Sequence, residues 1–125
     1  MLKYIELKSG YSDNGPAWIA KVNLSKTGNT IYFNGRALKS IGGSGSQGNY
    51  QDLNTGEEYW VSGVKKSGTN RHTYGSGIIE VEESVLPELL ETLGTNKLNT
   101  NLFSICSNFP PTFGNQFYQT ENEKL

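Results

Sequence analysis

The chain holds one histidine, His72, and one cysteine, Cys106. A thiol nucleophile needs an imidazole beside it and an Asn or Asp to orient the ring. Asn70 and Asn108 lie near the two residues in sequence, but nothing in the sequence joins the two halves of such a site. Cys106 closes the apolar run Leu102-Phe103-Ser104-Ile105-Cys106, where a thiol is usually buried and inert. One imidazole and one thiol do not make a His/Cys metal site. No metal or other cofactor is expected. His72 with Asp52 is the remaining acid–base couple, and it rests only on the two groups being titratable.

Three short motifs have the form of serine β-lactamase signatures: Ser12-Asp13-Asn14, Lys26-Thr27-Gly28 and Ser62-x-x-Lys65. In that class Ser-x-x-Lys comes first and lies on a helix. Here it comes last, in a strand pattern where residues three apart point to opposite faces. The match is read as chance. Gly43-Ser44-Gly45-Ser46-Gln47-Gly48 spells G-x-G-x-x-G. A dinucleotide site needs a helix directly after it, and Asn49–Leu53 is strand-like. The stretch is read as a loop.

The more informative pattern is aromatic and basic residues interleaved on turn-rich strands. Tyr32 and Phe33 are adjacent, as are Tyr59 and Trp60, so in strands each pair must split between two faces. One member of each pair then faces solvent or lies under another element. Trp60, Tyr32 and Arg71 are the candidate anchors of a protein interface, a role Tyr, Trp and Arg often fill. Lys65, Lys66, His72 and Tyr74 complete the candidate binding set. The same residues suit single-stranded nucleic acid, with bases stacked on rings and phosphates met by cations. They also suit a plain core if the helix and tail cover the second face.

The elements that must position these groups are short. Residues 3–8, 17–24, 30–33, 49–53, 57–64 and 77–82 carry strand character, residues 36–41 alternate less cleanly, and turn residues separate them. The total expected is five or six strands. On 17–24 the alternation places Trp18, Ala20, Val22 and Leu24 on one face. Asn34-Gly35 signals a type I′ turn, with a bulge as the alternative, and Asn54-Thr55-Gly56 a hairpin with Gly in the left-handed slot. Ser84 is expected to cap a helix over residues 84–93, with Leu86, Leu89, Leu90 and Leu93 as its apolar stripe and Gly94 as its end. The fold class is mainly β: a small, strongly bent antiparallel sheet or SH3-like or OB-like barrel, with one short C-terminal helix and an extended tail. Residues 1–94 form the domain. Residues 95–125 form the tail, partly ordered or docked on a partner, because its five aromatics are too many for an ordinary flexible segment.

Composition sets the outer limits. The chain has 125 residues, 34% hydrophobic and 18% charged, which excludes a coiled coil and a long basic nucleic-acid arm. Residues 1–80 carry 9 Lys and Arg against 6 Asp and Glu, or +3; residues 81–125 carry 2 against 6, or −4. A body of +3 is weak electrostatics for nucleic acid, since each neutralised phosphate needs its own cation. No stretch resembles a signal peptide or a membrane span, and the unpaired Cys106 fits a reducing compartment. A cytoplasmic setting without a membrane partner is expected.

Three stretches carry a resemblance. They are Lys3–Tyr11 with Gly15–Ile19, Ser25-Lys26-Thr27-Gly28 through Asn34-Gly35, and Thr55-Gly56-Glu57-Glu58-Tyr59-Trp60 through Lys66. Together they resemble a small bacterial family of uncharacterised function, over about residues 3–93. Some of its members are labelled deoxyxylulose-phosphate synthase. That label implies a thiamine-diphosphate enzyme several times larger, and no motif for it stands in this sequence. The resemblance therefore implies no functional residue.

The sequence thus leads first to a non-enzymatic module that binds another protein or its own copy, with residues 102–118 as an arm. A barrel that binds single-stranded nucleic acid comes second. A small enzyme using His72 and Asp52 comes third.

Overall fold

The computed structural model describes residues 1–11, 14–42, 48–66, 70 and 77–117. The molecule is mainly β, a strongly curled half-barrel with one short helix. Its strands are β1 (Leu2–Leu7), β2 (Ala17–Lys21), β3 (Asn23–Leu24), β4 (Thr30–Phe33), β5 (Arg36–Ser40), β6 (Tyr50–Asp52), β7 (Glu58–Ser62), β8 (Ile79–Glu82) and β9 (Phe103–Cys106). They form one sheet in the order β3-β4-β5-β6-β7-β1-β2-β8-β9.

The run 17–24 is not one straight strand. It breaks at Val22, so that β2 pairs with β1 while β3 pairs with β4. These two halves of one bent strand sit at opposite ends of the seven-strand run from β3 to β2. The bend therefore brings both ends of that run together and curls it. Between β4 and β5, Asn34 and Gly35 both take positive φ, 48° and 74°. Phe33 pairs directly with Arg36 across them. This is the type I′ geometry that Asn-Gly favours, and no bulge intervenes.

The last strands depart from the antiparallel expectation. β8 pairs parallel to β2, and β9 pairs parallel to β8. A parallel step needs a crossover of a dozen or more residues. Residues 83–102 supply it, as a 3₁₀ turn (Glu83–Val85) followed by α1 (Leu86–Leu93). The Ser84 side chain does not cap the helix: α1 starts after the 3₁₀ turn, with Val85 at the cap and Pro87 in the first turn. Ser84 instead donates its backbone N–H to Asn108 Oδ1 at 2.8 Å. Gly94 ends α1 in the left-handed conformation, φ 70°.

Strand alternation divides the core between the faces. On the helix side Tyr4, Ala17, Ile19, Ile79, Val81, Val85, Leu89 and Phe103 pack together. On the other side Ile5, Ala20, Val22, Ile31, Phe33, Leu38, Tyr59 and Val61 fill the curl, with Trp18 against them. Trp18, Ala20 and Val22 do share a face; Leu24, past the break, is exposed. A third, smaller cluster joins Tyr32, Ala37 and Phe117.

The expected boundary after residue 94 is crossed by the sheet. β9 belongs to it, and residues 107–117 return to the β3–β4 hairpin of the same chain. Phe109 meets Phe33 edge-on at 5.2 Å, and Phe117 stacks on Tyr32 at 5.8 Å. Phe33 and Tyr32 lie on opposite faces of β4, so the segment straddles the hairpin. At its crossing point Asn23 Nδ2 donates to the Thr112 carbonyl at 2.7 Å, and the Gly35 N–H donates to Thr112 Oγ1 at 2.7 Å. Two of the aromatics after residue 102 thus pack on this chain's own strand, Phe109 against the inner cluster and Phe117 over the second face.

Candidate interaction surface

The sequence-predicted binding residues do not meet. Tyr32 is 5% exposed, its ring under Phe117 and against the Gly114 backbone. As a surface anchor it is corrected: the strand alternation turned it outward, and the C-terminal segment covered it. Trp60 is half-buried against the helix-side cluster, away from the cluster of Tyr32. Lys65 and Lys66 are exposed beyond the end of β7. Arg71, His72 and Tyr74 lie outside the described residues, as do the residues 43–47 of the glycine-rich loop and Ser12-Asp13.

The groups considered for catalysis have structural work. Asp52 is fully buried. Its Oδ2 accepts from Arg36 Nη1 at 2.7 Å, and its Oδ1 accepts from the N–H groups of Asn54 and Thr55 at 2.8 and 3.2 Å. Oδ1 holds the β6–β7 turn while Oδ2 ties it to Arg36 on β5, and the bond to Asp52 pushes the Arg36 guanidinium further up. Burial pushes the Cys106 thiol up, and the Glu80 and Glu82 carboxylates push it in the same direction. A thiol held protonated in this way is a poor nucleophile at neutral pH.

A second buried polar group has its only sequence signal in spacing. Tyr4, Glu6 and Lys8 are two apart along β1 and share a face. Tyr4 Oη donates to Glu6 Oε1 at 2.5 Å, and Lys8 Nζ lies 3.1 Å from Glu6 Oε2. Among the described residues no group of three or more His, Cys, Asp or Glu is placed to hold a metal ion.

Glu82 builds the seam under the C-terminal segment. It sits at the end of β8, buried, with Oε1 accepting the Lys21 N–H at 3.2 Å and Oε2 accepting the Phe109 N–H at 2.8 Å. Beside it lies a groove of about 290 Å³ between β2–β4 and residues 108–113, walled by Lys21, Asn23, Asn108, Pro111 and Phe113. Phe113 is 53% exposed at its rim.

The remaining feature is the outer edge of β9. It is the terminal strand of the sheet, and among the described residues no strand pairs with its far side. The Ile79 N–H donates to the Leu102 carbonyl at 2.9 Å. Bonding to β8 thus falls to the even-numbered residues, and Ile105 turns its N–H and carbonyl outward. Its side chain lies on the face of buried Phe103, yet is 52% exposed.

Family models, curated proteins and solved structures give no match to this chain. The surface must therefore be judged on its chemistry. Edge strands are commonly guarded by charge, by proline or by a bulge. Residues 98–120 contain no Asp, Glu, Lys, Arg or His, and β9 itself contains no proline. The sequence signal is the apolar run 102–106, too short for composition alone to separate from a tail. Among the described residues no helix is long and apolar enough to cross a membrane.

Proposed function

We propose that the protein is a non-enzymatic binding module that takes up another protein chain as an added strand along β9. The observation that carries this reading is the uncharged outer edge of β9, with Ile105 exposed at its middle. An added strand gains main-chain hydrogen bonds along the edge, and an apolar side chain beside it supplies selectivity. The proposed setting is the cytoplasm, where an unpaired Cys106 stays a thiol. The resemblance over residues 3–93 is compatible with a binding role and adds no residue to it.

The nucleic-acid alternative would rest on Lys65, Lys66 and Arg71, the last outside the described residues, since Tyr32 is buried under Phe117. The test sets the two surfaces against each other. Complexes formed by the full chain should be lost in Ile105→Lys and kept in Lys65→Ala/Lys66→Ala. Complexes indifferent to Ile105→Lys, or salt-dependent quenching by a single-stranded oligonucleotide lost with the lysines, would overturn the reading.

A further inference from the structure

We infer that the strand taken up by β9 is the β9 of a second copy, giving a two-fold dimer through a continuous sheet. The inference rests on the strand-addition reading above and names its partner. Three observations carry it.

First, the nine-stranded sheet has two edges, and they are not alike. The β3 edge is two residues long, and residues 107–117 are bound against its hairpin. At the β9 edge the Phe103 N–H is taken by the Asn99 carbonyl at 3.0 Å, and among the described residues no strand pairs with its outer side. A chain with one available edge can pair with its copy only edge to same edge. That contact is isologous and closes at two, without growing into a fibre.

Second, the segment does not repel itself. Residues 98–120 are without charge, so an antiparallel approach of two copies sets no like charges face to face along the strands.

Third, the register is self-complementary. The outward backbone groups belong to the odd-numbered residues; Asn99 already takes the Phe103 N–H, so Ile105 is the residue that offers both its N–H and its carbonyl. Placing Ile105 opposite its own copy makes a hydrogen-bonded pair on the two-fold axis, with Phe103 opposite Ser107 on either side. Both half-exposed Ile105 side chains then lie across from each other on the helix side, where each covers apolar surface the other leaves open.

The test uses the full chain. Light scattering at rising concentration should give twice the 13.8 kDa of one chain, and Ile105→Lys should return the mass to one chain, with the thermal melt of the dilute, unassociated parent. In a Cys106→Ser background, Ile105→Cys should form an intermolecular disulfide. The paired Cα atoms are about 5.5 Å apart in such a pair, within disulfide reach. Ser107→Cys should stay a monomer on oxidation, because its copy lies four positions along, roughly 14 Å away at strand rise. A photo-crosslinking residue at position 105 separates the two claims. A dimer adduct supports the inference. A monomer that crosslinks to a different protein overturns the second copy and leaves strand addition standing. A monomer with no adduct overturns both.

Discussion

The two edges of the sheet end in the same kind of chain, polar with scattered aromatics, and meet opposite fates. At the β3–β4 edge residues 107–117 straddle the hairpin, with Phe109 on one face and Phe117 on the other. The hairpin's turn amide at Gly35 and the side chain of Asn23 both find Thr112. At the β9 edge no described residue takes the outward amide and carbonyl of Ile105. The difference teaches that these aromatics are not by themselves a sign of a partner. They belong to the covered edge, and the surface left for a partner is marked by an aliphatic residue on an uncharged strand.

This comparison can be broken by mutation, because the covered edge should govern stability and the free edge association. The largest effect should come from Phe117→Ala, which removes a buried ring and uncovers Tyr32. A loss of about 3 kcal/mol is expected from urea unfolding, at the low end for a buried Phe. A loss near zero would mean that the segment is not docked in solution. Next is Thr112→Val, which deprives the Gly35 N–H of its acceptor at 2.7 Å. Unfolding should cost roughly 1–2 kcal/mol, the range for leaving a partly buried donor unmatched. Ile105→Lys should change folding stability by no more than about 0.5 kcal/mol, as for a surface substitution, while association is lost. The smallest effect concerns Cys106, beside the free edge but on the opposite face from Ile105. Burial first, and Glu80 and Glu82 after it, hold its thiol above the ordinary value. Alkylation at pH 8 should therefore be slower than for a free cysteine and should keep rising with pH beyond the point where free thiol levels off. A rate equal to that of free cysteine would show that this face of β9 is open too.

Much of the fold was legible in local chemistry. Asn34-Gly35 specified its turn because few other pairs accept positive φ at both positions. Gly94 closed the helix for the same reason of backbone freedom. The break at Val22 was not legible, because alternation runs smoothly through 17–24 and only the curl of the sheet forces the strand to change partners. The parallel placement of β8 and β9 was hidden as well. Long-range pairing leaves no local mark, and four residues, Phe103-Ser104-Ile105-Cys106, are short enough to read as tail. The candidate site suffered from that same gap. One of Tyr32 and Phe33 must leave the core face, and nothing local reveals that it is Tyr32 or that Phe117, 85 positions later, covers it.

Amide hydrogen exchange on the full chain, measured at low and at high protein concentration, tests the central claim most directly. The Gly35 amide, bonded to Thr112, should be protected equally at both. The Ile105 amide should exchange freely when dilute and become protected when concentrated, as the second strand adds to β9. An Ile105 amide whose exchange does not change with concentration, at either level of protection, would contradict the account.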